Sequence, residues 1–90
     1  MKKTFKIGEY ASYGTWQVIL DPNEPSVTFV GRMYSTNEEV ERKKFVNPKF
    51  WELSEFLNEV MSSYYADKLM KYVETGLPLS QPSYTAFSLP

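Results

Sequence analysis

The stretch from Asn47-Pro48 to Gly76-Leu77-Pro78 limits what this chain can fold into more than any other part of it. Asn is a good N-cap, and Pro suits the first helical position, where an N–H would have no helical partner. Gly suits the position just past a helix, and Pro78 blocks continuation. Residues 48 to 75 are therefore expected as one long helix, about 42 Å from end to end. A compact domain of 90 residues has a radius of gyration of only about 12 Å. Such a helix must overhang the rest, bend or break.

Its apolar pattern reports where. At about 100° per residue, Phe50, Leu53, Leu57, Val60 and Tyr64 share one face, flanked by Phe56 and Met61. Glu52, Glu55 and Glu59 lie opposite, and Trp51 points away from the stripe. After Ser62-Ser63 the pattern turns over. Tyr65, Ala66, Leu69, Tyr72 and Val73, with Met70 at the edge, form a second stripe displaced by roughly 140°. Tyr64 thus ends the first stripe and Tyr65 begins the second. Two readings follow. A Ser pair is a permitted kink site, which would fold both stripes into one core. A continuous helix would instead turn the lower stripe toward a second body, and its Tyr and Met content resembles an interface core.

The residues before the helix read as β. Phe5 and Ile7 alternate with Thr4 and Lys6, and Gly8 suggests a bulge. Tyr13-Gly14 marks a turn, and Trp16, Val18 and Leu20 then give half-buried strand spacing. Asp21 to Pro25, with two prolines, is a loop, and the run from Ser26 to Tyr34 is a third strand. The segment "EEVERKKFV" is open to two readings. Thr36 and Glu39 could form a capping box, but charges on both faces fit an edge strand that resists sheet-to-sheet pairing, and that reading is preferred. Short connections imply an antiparallel meander. The expected class is α+β: a four-stranded meander carrying one long helix over residues 1–76, and an extended arm over 77–90.

The arm has no charged side chain but holds Leu77, Leu79, Tyr84, Phe87 and Leu89. Ordering it costs roughly 1–2 kcal/mol per residue, and burying each large side chain returns only about 1.5–3 kcal/mol. Backbone hydrogen bonds are needed as well, so it is expected to dock as an added strand on a sheet edge, its own or a neighbour's.

Chemistry is constrained by what is missing. With no His and no Cys, the usual near-neutral general base, thiol nucleophiles, disulfides and Cys/His zinc sites are excluded. The glycines stand singly, so no phosphate-cradling loop is present. No catalytic residue, cofactor or metal is expected. The start "MKKTFKIGEY" lacks an apolar run, so no signal peptide is expected, and no stretch approaches the ~20 apolar residues of a membrane span. A cytoplasmic protein is the expectation. Net charge is −1, which gives no global pull toward nucleic acid.

The function expected on these grounds is non-catalytic protein–protein interaction, with homodimerisation its simplest form. The contact residues would be Tyr65, Leu69, Met70, Tyr72 and Val73, helped by Tyr84 and Phe87 of the arm. Small accessory proteins of phages and mobile elements, such as anti-CRISPR inhibitors, share this profile of size and absent chemistry. The competing reading is a nucleic-acid binder whose strand aromatics stack bases beside cations, using Lys6, Tyr10, Arg32 and Tyr34.

Overall fold

The expected long helix is broken in two. The computed structural model describes residues 2–76, in which α1 runs Phe50–Val60 and α2 runs Ser63–Gly76. The arm, with Tyr84 and Phe87, lies outside the described residues. The break falls at Met61–Ser62, where Met61 adopts an extended backbone and its N–H still donates to Leu57 O. Ala66 N–H then bonds Ser62 O to open the next helix. The turnover of the apolar pattern was therefore a true signal of a corner, and both stripes enter one core.

The start of α1 also differs from its expected position. Asn47 takes a left-handed backbone (φ 56°), Pro48 is buried, and Lys49 is the N-cap. The Glu52 carboxylate accepts from Lys49 N–H at 3.3 Å, so an acidic side chain in the first turn does the capping. At the other end Gly76 sits within the last turn of α2 rather than beyond it.

Four antiparallel strands form the sheet in the order β1-β2-β3-β4: β1 (Lys3–Tyr10), β2 (Gly14–Asp21), β3 (Ser26–Met33) and β4 (Glu39–Val46). Each is joined to the next, as the short connections imply. The segment with two readings is an edge strand, and Thr36 instead accepts Glu38 N–H at 3.2 Å within the preceding turn. Of β4 only Phe45 is partly buried.

Gly8 is the bulge. The β1–β2 register slips between Ile7 and Glu9, and Gly8 has φ +68°, a region an L side chain enters only with strain. The slip keeps Tyr10 on the same side as Trp16, so its ring meets the indole edge-on at 4.8 Å. From there it passes over Gly31 of β3, and its hydroxyl donates to a Glu41 Oε1 on β4 at 2.8 Å. One tyrosine thus reaches across the sheet from the first strand to the last. A Cβ on Gly31 would lie 2.5 Å from the Tyr10 ring, which is why that position holds glycine.

The helices divide one face of the sheet between them. Phe56 of α1 packs its ring against Trp16, Phe29 and Phe45, which places α1 under β2 to β4. Leu53 and Leu57 are fully buried beside it. α2 turns back under β1: Tyr65 lies against Gly8, Tyr72 meets Phe5 at 5.3 Å, and Gly76 approaches Leu20, the register partner of Lys3. α2 therefore runs antiparallel to β1. Ala66, Leu69, Met70 and Val73 are its buried residues, and burial of each larger one contributes about 1.5–3 kcal/mol.

Candidate functional site: a groove along the open edge of β1

Placement separates the expected interface residues. Leu69 and Val73 are fully buried and Met70 nearly so, all within this chain's own core. Those three offer no contact surface to a partner in this fold, because the corner at Met61–Ser62 swings their stripe under the sheet. Tyr65 and Tyr72 remain outside, 37 % and 56 % exposed, with one side of each ring against β1. Tyr64, expected in the first stripe, is exposed on α2, where it meets Tyr65 edge-on at 5.1 Å and carries Lys68 Nζ over its ring.

Tyr65 and Tyr72 border a groove of about 690 Å³ between β1 and α2. The consecutive residues Lys3 to Ile7 line it. Strand side chains alternate between faces, so a cavity touching every one of them runs along the strand's edge, and here it also reaches beneath the sheet to Leu20 of β2. β1 is the terminal strand of the described sheet, and that edge presents backbone N–H and C=O groups that pair with no other described strand. Tyr65, Lys68, Tyr72 and Gly76 make the opposite wall from α2.

The helix positions that wall by its own period. Residues 65, 68, 72 and 76 recur at three- and four-residue steps on one side of α2, beside its buried stripe. The groove extends along β1 for about 13 Å, at about 3.4 Å per residue. That length holds roughly five residues of extended chain.

Its charge is of one sign. Lys3 and Lys68 bring cations to the groove and no carboxylate lines it; Lys6 borders it as part of the strand, but its ammonium turns to the opposite sheet face. Among the described residues none of these lysines is in a salt bridge; the pairs that form are Arg42–Glu39 and Lys44–Glu24, both elsewhere. Lys6 Nζ donates to Asn37 Oδ1 at 3.4 Å. The Lys68 ammonium is held above the usual lysine range, first by hydrogen bonding with Tyr64 and then by the charge of the surrounding phenols. It stays a cation throughout the physiological range.

The residues expected for nucleic acid do not share a surface. Lys6 and Arg32 come together on the sheet face away from the helices, where both bond Asn37, and Arg32 Nε also donates to Gln17 Oε1 at 2.6 Å. Tyr10 is on the helix-bearing side, its pKa pushed up to about 12 chiefly by the hydrogen bond to Glu41, with burial adding to it. Tyr34 is exposed in the β3–β4 turn. The cations therefore lie on one side of the sheet and the ring meant to stack beside them on the other.

Sequence reasoning did not find Lys68 or Phe5 as site residues, and took Lys3 only as a cation near the strand aromatics. A strand shows no sign of which neighbour it lacks, so only the sheet order could have revealed the open edge.

Comparison with protein families, with characterised proteins and with solved structures finds no match to this chain. No group of three or more His, Cys, Asp or Glu side chains among the described residues could hold a metal ion. Among them, too, no helix is long and apolar enough to cross a membrane.

Proposed function

We propose that this chain is a non-catalytic protein-interaction module, and that it engages its partner through the groove along β1. One observation carries the reading. A strand edge that is unpaired among the described residues runs beside two half-exposed tyrosines and the cations of Lys3 and Lys68, in one groove. Tyrosine at a cleft provides a large contact area with few torsions to freeze, a property favoured at binding surfaces. The open backbone supplies directional hydrogen bonds that a side-chain patch lacks. An accessory or inhibitory role, occluding a larger protein, suits such a module.

The absence of His and Cys from the sequence supports the non-catalytic part. So does the geometry around two of the carboxylates. Glu24 and Glu39 have their pKa lowered, by hydrogen bonds from Ser26 and Lys44 and from Arg42, the reverse of what a general acid needs.

The test is retention of native partners by the intact chain, by Tyr72→Asp in the groove, and by Tyr34→Asp in the distant turn. Tyr72→Asp is expected to lose the partner and Tyr34→Asp to keep it. Equal retention by both variants would sink the assignment of the groove. Solution mass by light scattering on the same proteins reports self-association separately.

A further inference from the structure

We infer that the groove takes an extended acidic segment of another protein, which adds to β1 as a fifth strand. This rests on the reading of the groove as the interaction site and names the chemistry of what enters it. Three features converge. The lining of Lys3 to Ile7 marks a strand edge unpaired among the described residues, of the kind that recognises an extended backbone. The lysines at positions 3 and 68 are free of carboxylates among the described residues and call for negative side chains on the incoming strand. Phe5, Ile7 and the two tyrosines offer apolar seats between those charges.

The same charges argue against a second copy as the occupant. Pairing β1 with the β1 of another molecule would lay two lysine-bearing edges side by side, and in registers centred on Lys3 or on Lys6 like charges face each other directly, which is unfavourable. Pairing β1 with the β4 of another copy would leave the remaining edges free to repeat the contact, giving an open-ended array instead of a closed dimer. An acidic strand from a different protein meets neither obstacle.

The experiment uses the full chain and a fluorescein-labelled octapeptide of alternating Glu and Val, read by fluorescence anisotropy. A matched peptide carries Lys in place of every Glu. Two further versions are N-methylated, one on each alternate set of amides. The Glu peptide is expected to bind, with affinity falling as salt rises, and the Lys peptide is not. Methylating one alternate set should abolish binding and methylating the other should spare it, because only one set faces the receiving strand. Reversing Lys3 and Lys68 together to Glu should weaken the Glu peptide by about tenfold, as expected for rim charges. Lys71→Glu, exposed on α2 outside the groove, should leave binding unchanged.

Each contrary result overturns a stated part. Equal binding of Glu and Lys peptides removes the charge argument, and tolerance of both methylated versions removes strand addition. Binding of oligothymidylate with none of either peptide would assign the lysines to nucleic acid. A dimer that excludes the peptide and dissociates on Lys68→Glu would make the occupant a second copy. If no peptide binds while Tyr72→Asp still loses a native partner, the acidic-strand inference fails and the interaction site stands. If Tyr72→Asp also has no effect, both fail.

Discussion

Replacing Gly31 by Ala tests the one contact that ties the sheet together from its first strand to its last. The added methyl would sit 2.5 Å from two carbons of the Tyr10 ring and 2.8 Å from a third. Ordinary carbon contacts begin near 3.5 Å, so the ring must retreat by roughly 1 Å. It is held on both sides, by the 2.8 Å hydrogen bond to Glu41 and the edge contact with Trp16. Losing the first costs about 1 kcal/mol and weakening the second about 0.5–1.5 kcal/mol. Against this, Ala in place of Gly lowers unfolded-state entropy, returning about 0.4–1 kcal/mol. The net expectation is a loss of about 1–2 kcal/mol, seen as a lower urea midpoint with unchanged slope. A second readout follows from titration. Tyr10 is raised from 10.0 to about 12 in the fold because its neutral form donates to Glu41. That contribution to stability is complete below pH 10 and is lost as pH rises toward 12. In Gly31→Ala the phenol should titrate nearer its ordinary value, and the extra sensitivity to alkali should shrink. In a Tyr10→Ala background the same methyl meets empty space and should be neutral or stabilising, a coupling a double-mutant cycle measures. A Gly31→Ala protein as stable as the parent, with a tyrosine still ionising near 12, would refute the reasoning.

Leu69→Ala should cost about 2–5 kcal/mol in denaturant unfolding, because Leu69 is fully buried and its cavity closes only in part. Tyr64→Ser, which exchanges a residue of the same apolar pattern, should cost less than about 1 kcal/mol, since Tyr64 is 62 % exposed. Gly8→Ala should lose about 1–2 kcal/mol through its left-handed backbone alone, since its Cβ would meet Tyr65 at an ordinary 3.5 Å. Gly8→Asn, a residue that tolerates this region, should recover part of that loss in the same assay.

The contrast between Leu69 and Tyr64 marks how much of the fold was legible in the sequence and where legibility stopped. Alternation in Trp16-Val18-Leu20 and the single Gly8 each carried a local instruction, and the strand face and the bulge follow from them. The reversal of the helical stripe was also legible as a change of direction. Its meaning was not, because periodicity within a helix reports which side is apolar and not what that side touches. A continuous helix would have presented Leu69, Met70 and Val73 to a second molecule. The extended backbone at Met61 presents them to β1 and β2 instead, and two separate helices cover the sheet that one long helix would have overhung.

The same limit decides the site. A strand such as "KTFKIGEY" holds no sign of whether a neighbour lies on one side or on both, so the edge left unpaired among the described residues came into view only with the strand order. Once the order is fixed, a difference between the two edges becomes meaningful. β4 carries Glu39, Glu41, Arg42, Lys43 and Lys44 in mixed sign, with Arg42 and Lys44 already paired to carboxylates, a composition that discourages any incoming strand. β1 carries Lys3, Lys6 and, beyond the bulge, Glu9, and only its stretch from Lys3 to Ile7, free of carboxylates, lies beside the tyrosine wall and the groove. Mixed charge on an edge repels strands of every kind at some position, whereas charge of one sign repels its own kind and admits the opposite. On the reading proposed above, β4 is the guarded side of the sheet and the groove beside Lys3 and Lys68 the selective one, where a binding partner is to be sought.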